Sequence, residues 1–221
     1  MLVILLIHFL IQSVFCVSIT PEACEGYRGG FDTKKNVGVW YVVAIIPDGN
    51  FTKNFDTLPC YRVDFSEVDE AALMWMIERK FGKIADEIMD KSPGDVLRQR
   101  YHTENPFDIW SKSVLKVSGC YRQLVDLRNN ETDISGAKQH NSPMLLHHLQ
   151  LEEGDFLLQL LWGRISTVIY KREPEITMNE LAAVVEFLSM YRGPMQQPKI
   201  CSPKLKIYSS TPSTLTDDDL Q

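Results

Sequence analysis

The sequence predicts an all-β domain of short antiparallel strands, a sandwich or a barrel, with one amphipathic helix after the last strand. Three observations carry this. Runs rich in β-branched and aromatic residues recur between Gly38 and Arg172, parted by turn sequences. A capping box followed by an apolar stripe at helical spacing begins at Thr177. An apolar leader, an even set of remaining cysteines and two glycosylation sequons agree on an exported, disulfide-bonded chain.

The leader comes first in the chain. Leu2 to Val17 is apolar, too short to span a bilayer comfortably, and ends in Cys16-Val17-Ser18, small residues that suit a signal peptidase. A signal peptide over residues 1–18 is therefore expected, with only the amino terminus supplying its positive charge. No second apolar run of that length follows, so no transmembrane segment is expected and the protein reads as secreted and extracellular. Setting aside Cys16, four of the five cysteines remain: Cys24, Cys60, Cys120 and Cys201. Four cysteines allow three pairings. Asn50-Phe51-Thr52 and Asn130-Glu131-Thr132 are acceptor sequons, which places Asn50 and Asn130 in surface loops of a glycoprotein.

The strands follow. Gly38 to Ile46 is dense in β-branched and aromatic residues and stops at the turn sequence Pro47-Asp48-Gly49. Cys60 to Phe65 alternates, with Tyr61, Val63 and Phe65 on one face and Arg62 and Asp64 on the other. Val114 to Leu127 reads as a strand broken near Gly119. Met144 to Leu151, Phe156 to Trp162 and Thr167 to Arg172 are three more. Between them, Asp69 to Lys91 sets two signals against each other. Leu73, Ile77, Phe81, Ile84 and Ile88 fall at helical spacing, whereas the flanking strands favour a strand over Ala72 to Phe81, hairpinned to the one before it. The strand is the reading adopted here.

After the last strand, Thr177 and Glu180 form the capping box, Leu181, Val184, Val185 and Leu188 the apolar stripe, and Gly193-Pro194 the stop. Such a helix must lay its stripe on the outside of the sheet. The domain is expected to span 19–203, and the Ser/Thr-rich, acidic segment 204–221 to be a disordered tail. A net charge of −6 with no basic stripe excludes a nucleic-acid partner.

Gly38-Val39-Trp40, opening the first strand, resembles the G-x-W signature of the lipocalin family. Gly154-Asp155-Phe156 is similar to that family's second signature but lacks its Thr. The order of strands, capped helix and late cysteine resembles the insect bilin-binding and apolipoprotein D-like lipocalins. The resemblance implies an eight-stranded antiparallel up-and-down barrel with one C-terminal helix outside. It implies Arg172, ending the last strand, stacked over Trp40 at the closed end. It also implies a Cys60–Cys201 bridge, which leaves Cys24 to Cys120. The last pair departs from the family, where the N-terminal cysteine's partner lies in the seventh strand, near Trp162 here. The resemblance further implies a carrier of a small hydrophobic ligand of the lipid, retinoid, pigment or pheromone class, with neither enzymatic activity nor a cofactor expected.

Within such a barrel, strict alternation from an inward Trp40 puts Val42, Ala44 and Ile46 inside, with Tyr61, Val63 and Phe65 on the next strand and Val168 and Tyr170 on the last. These residues either wall a ligand pocket or fill a packed core. His147 and His148 are strand neighbours, face opposite ways and share no metal. A lone inward His as a haem ligand is the weaker reading beside an ordinary satisfied or exposed side chain. Thiol catalysis needs a free cysteine, and all four are assigned to bridges. The second function class is a glycosylated interaction protein that meets a cell-surface receptor through its surface, its pocket small or filled.

Overall fold

The computed structural model describes residues 24, 27, 30–47, 59–81, 94–114, 117–126, 143–161, 165–193 and 195–202. The segment expected to be a signal peptide, both sequon asparagines Asn50 and Asn130, Trp162 and residues 203–221 lie outside them. Eight strands run up and down in chain order: β1 (Gly38–Pro47), β2 (Arg62–Val68), β3 (Val96–His102), β4 (Phe107–Ser113), β5 (Cys120–Asp126), β6 (Pro143–Leu151), β7 (Gly154–Leu161) and β8 (Ile165–Lys171). Each pairs antiparallel with the next, and β1 pairs with both β8 and β2, so the sheet closes into the expected eight-stranded barrel. Closure removes the sheet edges that would otherwise template aggregation.

The first strand serves three partners because it divides its length. Gly38 to Tyr41 pair with β2, and Tyr41 to Pro47 with β8. Where β2 leaves β1 uncovered, a ninth strand, β9 (Lys199–Ile200), pairs with Ala44 and Ile45 outside the ring. Two disulfides secure the ends of the chain to this frame: Cys24–Cys120 and Cys60–Cys201. The second sits beside β9, where the Cys201 N–H donates to the Val43 carbonyl at 2.9 Å. Cys120 opens β5, so the N-terminal cysteine reaches an earlier strand than the seventh.

Three helices accompany the barrel among the described residues: α1 (Thr33–Asn36), α2 (Glu70–Phe81) and α3 (Met178–Arg192). Helix α3 lies outside, as its stripe required. Leu181, Val184 and Leu188 are buried, and Phe187 meets the His147 ring of β6 at 5.0 Å between centroids. Both arms of its capping box form: the Glu180 N–H donates to Thr177 Oγ1, and Thr177 N–H to Glu180 Oε2. Gly193 ends the helix with φ +78°. The Lys171 ammonium reaches Glu180 at 2.8 Å and pins the helix start to the end of β8.

Helix α2 corrects the strand expected over Ala72 to Phe81. The local periodicity prevails, with Leu73 and Ile77 fully buried on one side and Glu70 paired to Lys112 on the outer face of β4. No strand partner was open to this segment, because β2 already pairs with β3 along its whole length. Residues 82–91 of the same periodic run lie outside the described residues.

Two further findings concern the middle of the chain. In the stretch Val114 to Leu127 the break expected near Gly119 is present, with Gly119 at φ +85° in the turn after β4, and strand begins at Cys120. A Cβ there would stand 2.6 Å from the Leu146 carbonyl oxygen, so the turn closes only around glycine. Strands β3 and β4 were not anticipated at all. Their inward faces carry Gln99, Ser111 and Ser113, and this polarity breaks the alternation by which a half-buried strand is read.

Candidate functional site

The lumen is identified by contacts that cross it. The Tyr101 hydroxyl of β3 lies 2.6 Å from the Tyr170 hydroxyl of β8, and Gln99 Nε2 of β3 donates to Gln159 Oε1 of β7 at 2.7 Å. Neither pair of strands is adjacent in the ring, so these side chains meet inside it. Register then assigns every neighbour, because directly opposed residues share a face. Phe65 faces Gln99, Val63 faces Tyr101, Val168 faces Gln159 and Val42 faces Tyr170. All four apolar residues are buried and line the interior.

The parity of β1 does not hold along its length. Its ladder with β8 skips Val43, a bulge that turns the following residues over. Ala44 is opposite Ile169 and Ile46 opposite Thr167, on the outer face, while Ile45 comes in opposite Val168. Alternation had placed Ala44 and Ile46 in the lumen; the extra residue reverses them and substitutes Ile45. Tyr61 shares the inward parity of Val63 but is only half-buried, and burial followed by the nearby Glu104 raises its phenol pKa.

Trp40 and Arg172 meet at one end of the barrel. The Trp40 indole is buried, and its Nε1 donates to the Asn36 carbonyl at 2.8 Å. The Arg172 guanidinium stacks over it, 3.8 Å from the ring centroid. Its Nη1 donates to the Val39 carbonyl at 2.8 Å, and longer contacts reach the Lys35 and Val37 carbonyls. Burial holds the Arg172 pKa below its ordinary value. Gly38 completes the plug: at φ +106° it turns where side chains rarely go, and a Cβ would approach Arg172 Nη1 to 3.3 Å. The short G-x-W pattern therefore has a local cause, a turn that brings backbone carbonyls and an indole to one guanidinium.

Above the plug the polar groups form a chain. Tyr101 donates to Tyr170, Tyr170 donates to Gln159 Oε1 at 2.8 Å, and Gln99 Nε2 donates to the same oxygen. Phe65 packs edge-on against Tyr170 at 5.4 Å, and Tyr101 stacks on Phe107 at 4.8 Å. Complete burial, with Tyr101 beside it, raises the Tyr170 pKa well above the usual phenol value. Farther along the inner face, the Tyr121 hydroxyl contacts Thr33 Oγ1 at 2.9 Å; burial pushes its pKa up to about 12. Gln99 and Gln159 escaped the sequence reading because a glutamine within an apolar strand shows its direction only once the register is known.

The histidines separate as expected. His147 faces outward, opposite Leu158, between Phe187 and Tyr27; burial and then His148 lower its pKa. His148 stands on the opposite face, across from Leu157, and is partly exposed. Among the described residues no group of three His, Cys, Asp or Glu side chains is arranged to hold a metal. No described helix is long and apolar enough to cross a membrane. No family model and no curated protein matches the chain.

Proposed function

We propose that this chain is a lipocalin-type carrier, secreted, that transports or sequesters one small, mainly apolar molecule in the barrel lumen, without catalysis of its own. The observation that carries the reading is the make-up of the inner wall. Val42, Val63, Phe65 and Val168 surround a few convergent polar groups from Gln99, Tyr101, Gln159 and Tyr170. An apolar wall with few, well-placed polar atoms is the usual composition of a small-molecule site. An eight-stranded barrel has an interior that is either filled by side chains or holds one small ligand. The plug of Trp40 and Arg172 and the outer helix support membership of the lipocalin fold. Two disulfides and an apolar leader support export into an oxidising compartment.

The test uses the oxidised full chain, extracted with organic solvent for mass spectrometry and titrated with the uncharged probe N-phenyl-1-naphthylamine. A stoichiometric apolar compound in the extract, or a saturable one-to-one titration, is the expected result. An empty extract with no saturation, from protein with both disulfides intact, would overturn the carrier reading in favour of action through the surface.

A further inference from the structure

We propose that the lumen selects an uncharged, hydroxyl-bearing amphiphile, such as a long-chain or polycyclic alcohol, and discriminates against a carboxylate; this deepens the carrier reading and rests on it. Among the described residues, two buried polar atoms on the inner wall have no hydrogen-bond partner: Gln99 Oε1 and Ser111 Oγ. Both residues are 0% exposed. They lie on adjacent strands of one face, since Gln99 is opposite Ile109 and Ser111 opposite Leu97, which makes them diagonal neighbours. With Gln159 Oε1 accepting from Tyr170, Gln99 turns its nitrogen toward that oxygen and its own oxygen away.

A buried carbonyl left without a donor is costly, and so is a hydroxyl left without any partner. One ligand hydroxyl answers both: it donates to Gln99 Oε1 and accepts from the Ser111 hydroxyl. The charge around the site argues in the same direction. Among the described residues the buried charged side chains are Lys112 and Glu180. Lys112 pairs with Glu70 on the outer face, and Glu180 belongs to the outer helix. Among the described residues, a carboxylate there would find the Ser111 hydroxyl as a donor but also the Gln99 amide oxygen and no buried cation, and it would bear the cost of desolvating its charge. The apolar remainder of the ligand would lie along Leu97, Ile109 and Phe65, the buried neighbours on that face.

The experiment is competition against N-phenyl-1-naphthylamine at pH 8 with dodecan-1-ol and with laurate, on the oxidised full chain and on Ser111→Ala. This variant removes a partnerless oxygen and replaces it with a smaller side chain. In the parent chain the alcohol is expected to bind about tenfold more tightly than laurate, the scale of one satisfied against one orphaned buried group. In Ser111→Ala the alcohol should weaken roughly threefold to tenfold, with laurate and the naphthylamine unchanged. Equal affinity for alcohol and laurate overturns the inference while leaving the carrier reading standing, as does a Ser111→Ala chain with the parent's preference. Failure of the naphthylamine to bind at all overturns both.

Discussion

Replacing Arg172 with alanine should loosen the end of the barrel where it meets Trp40, and its cost can be assembled from the geometry. The guanidinium over the Trp40 ring at 3.8 Å is a cation–π contact worth about 0.5–1 kcal/mol, since Arg172 is exposed. Its hydrogen bond to the Val39 carbonyl, at 2.8 Å, is charge-assisted and contributes about 1.5–3 kcal/mol. The contacts to Lys35 and Val37, at 3.3–3.4 Å, add little individually but leave those carbonyls to water when lost. These terms share one side chain and do not add fully, so the expected loss is about 1.5–3 kcal/mol. With a urea slope of about 2 kcal/mol per molar, the midpoint should fall by about 0.7–1.5 M. Equilibrium urea denaturation followed by tryptophan emission measures this, with Arg172→Lys as the informative intermediate. Lysine keeps the charge but not the planar fork, and should recover less than half of the loss. A midpoint within about 0.2 M of the parent for Arg172→Ala would refute the claim that this residue holds that end of the barrel together.

Gly38→Ala attacks the same plug from the backbone. The positive φ and the 3.3 Å approach of the new Cβ to Arg172 Nη1 should cost about 1–3 kcal/mol, read in the same urea titration. Parental stability would mean that the turn is not constrained as described. Alkaline stability provides an independent check on the interior. Burial raises the Tyr121 phenol to about 12, so its stabilising effect is complete below pH 10 and is lost as the pH climbs from 10 toward 12. Stability of the parent should decline over that window, and Tyr121→Phe should flatten the decline. A decline of the same slope in both chains would refute the assignment.

Much of this protein was legible before any tertiary information, and the reasons are local. Thr177 and Glu180 announce α3 because a capping box is satisfied within four residues of chain. Gly38, Trp40 and Arg172 were named through the resemblance to the lipocalin signature, and the structure gives that pattern physical content: a positive φ, an indole and a planar cation in contact. The helical spacing of Leu73 and Ile77 was equally plain, and its local signal was the right one. What lay beyond the sequence depends on register. The bulge at Val43 has no residue signature, yet it exchanges Ala44 and Ile46 for Ile45 in the lumen. Strands β3 and β4 were hidden because the lumen tolerates polar side chains there, so burial and polarity no longer coincide. The meeting of Gln99 with Gln159, and of Tyr101 with Tyr170, belongs to the closed ring alone. Residues 60 and 69 positions apart become partners only when the barrel brings non-adjacent strands face to face. The strand-forming middle and the outer helix are set by interactions between near neighbours and so could be read along the chain, whereas Trp40 and Arg172, far apart in sequence, meet only through the closed ring. The tertiary structure alone decided which side chains share the interior, because that requires the register of every strand at once.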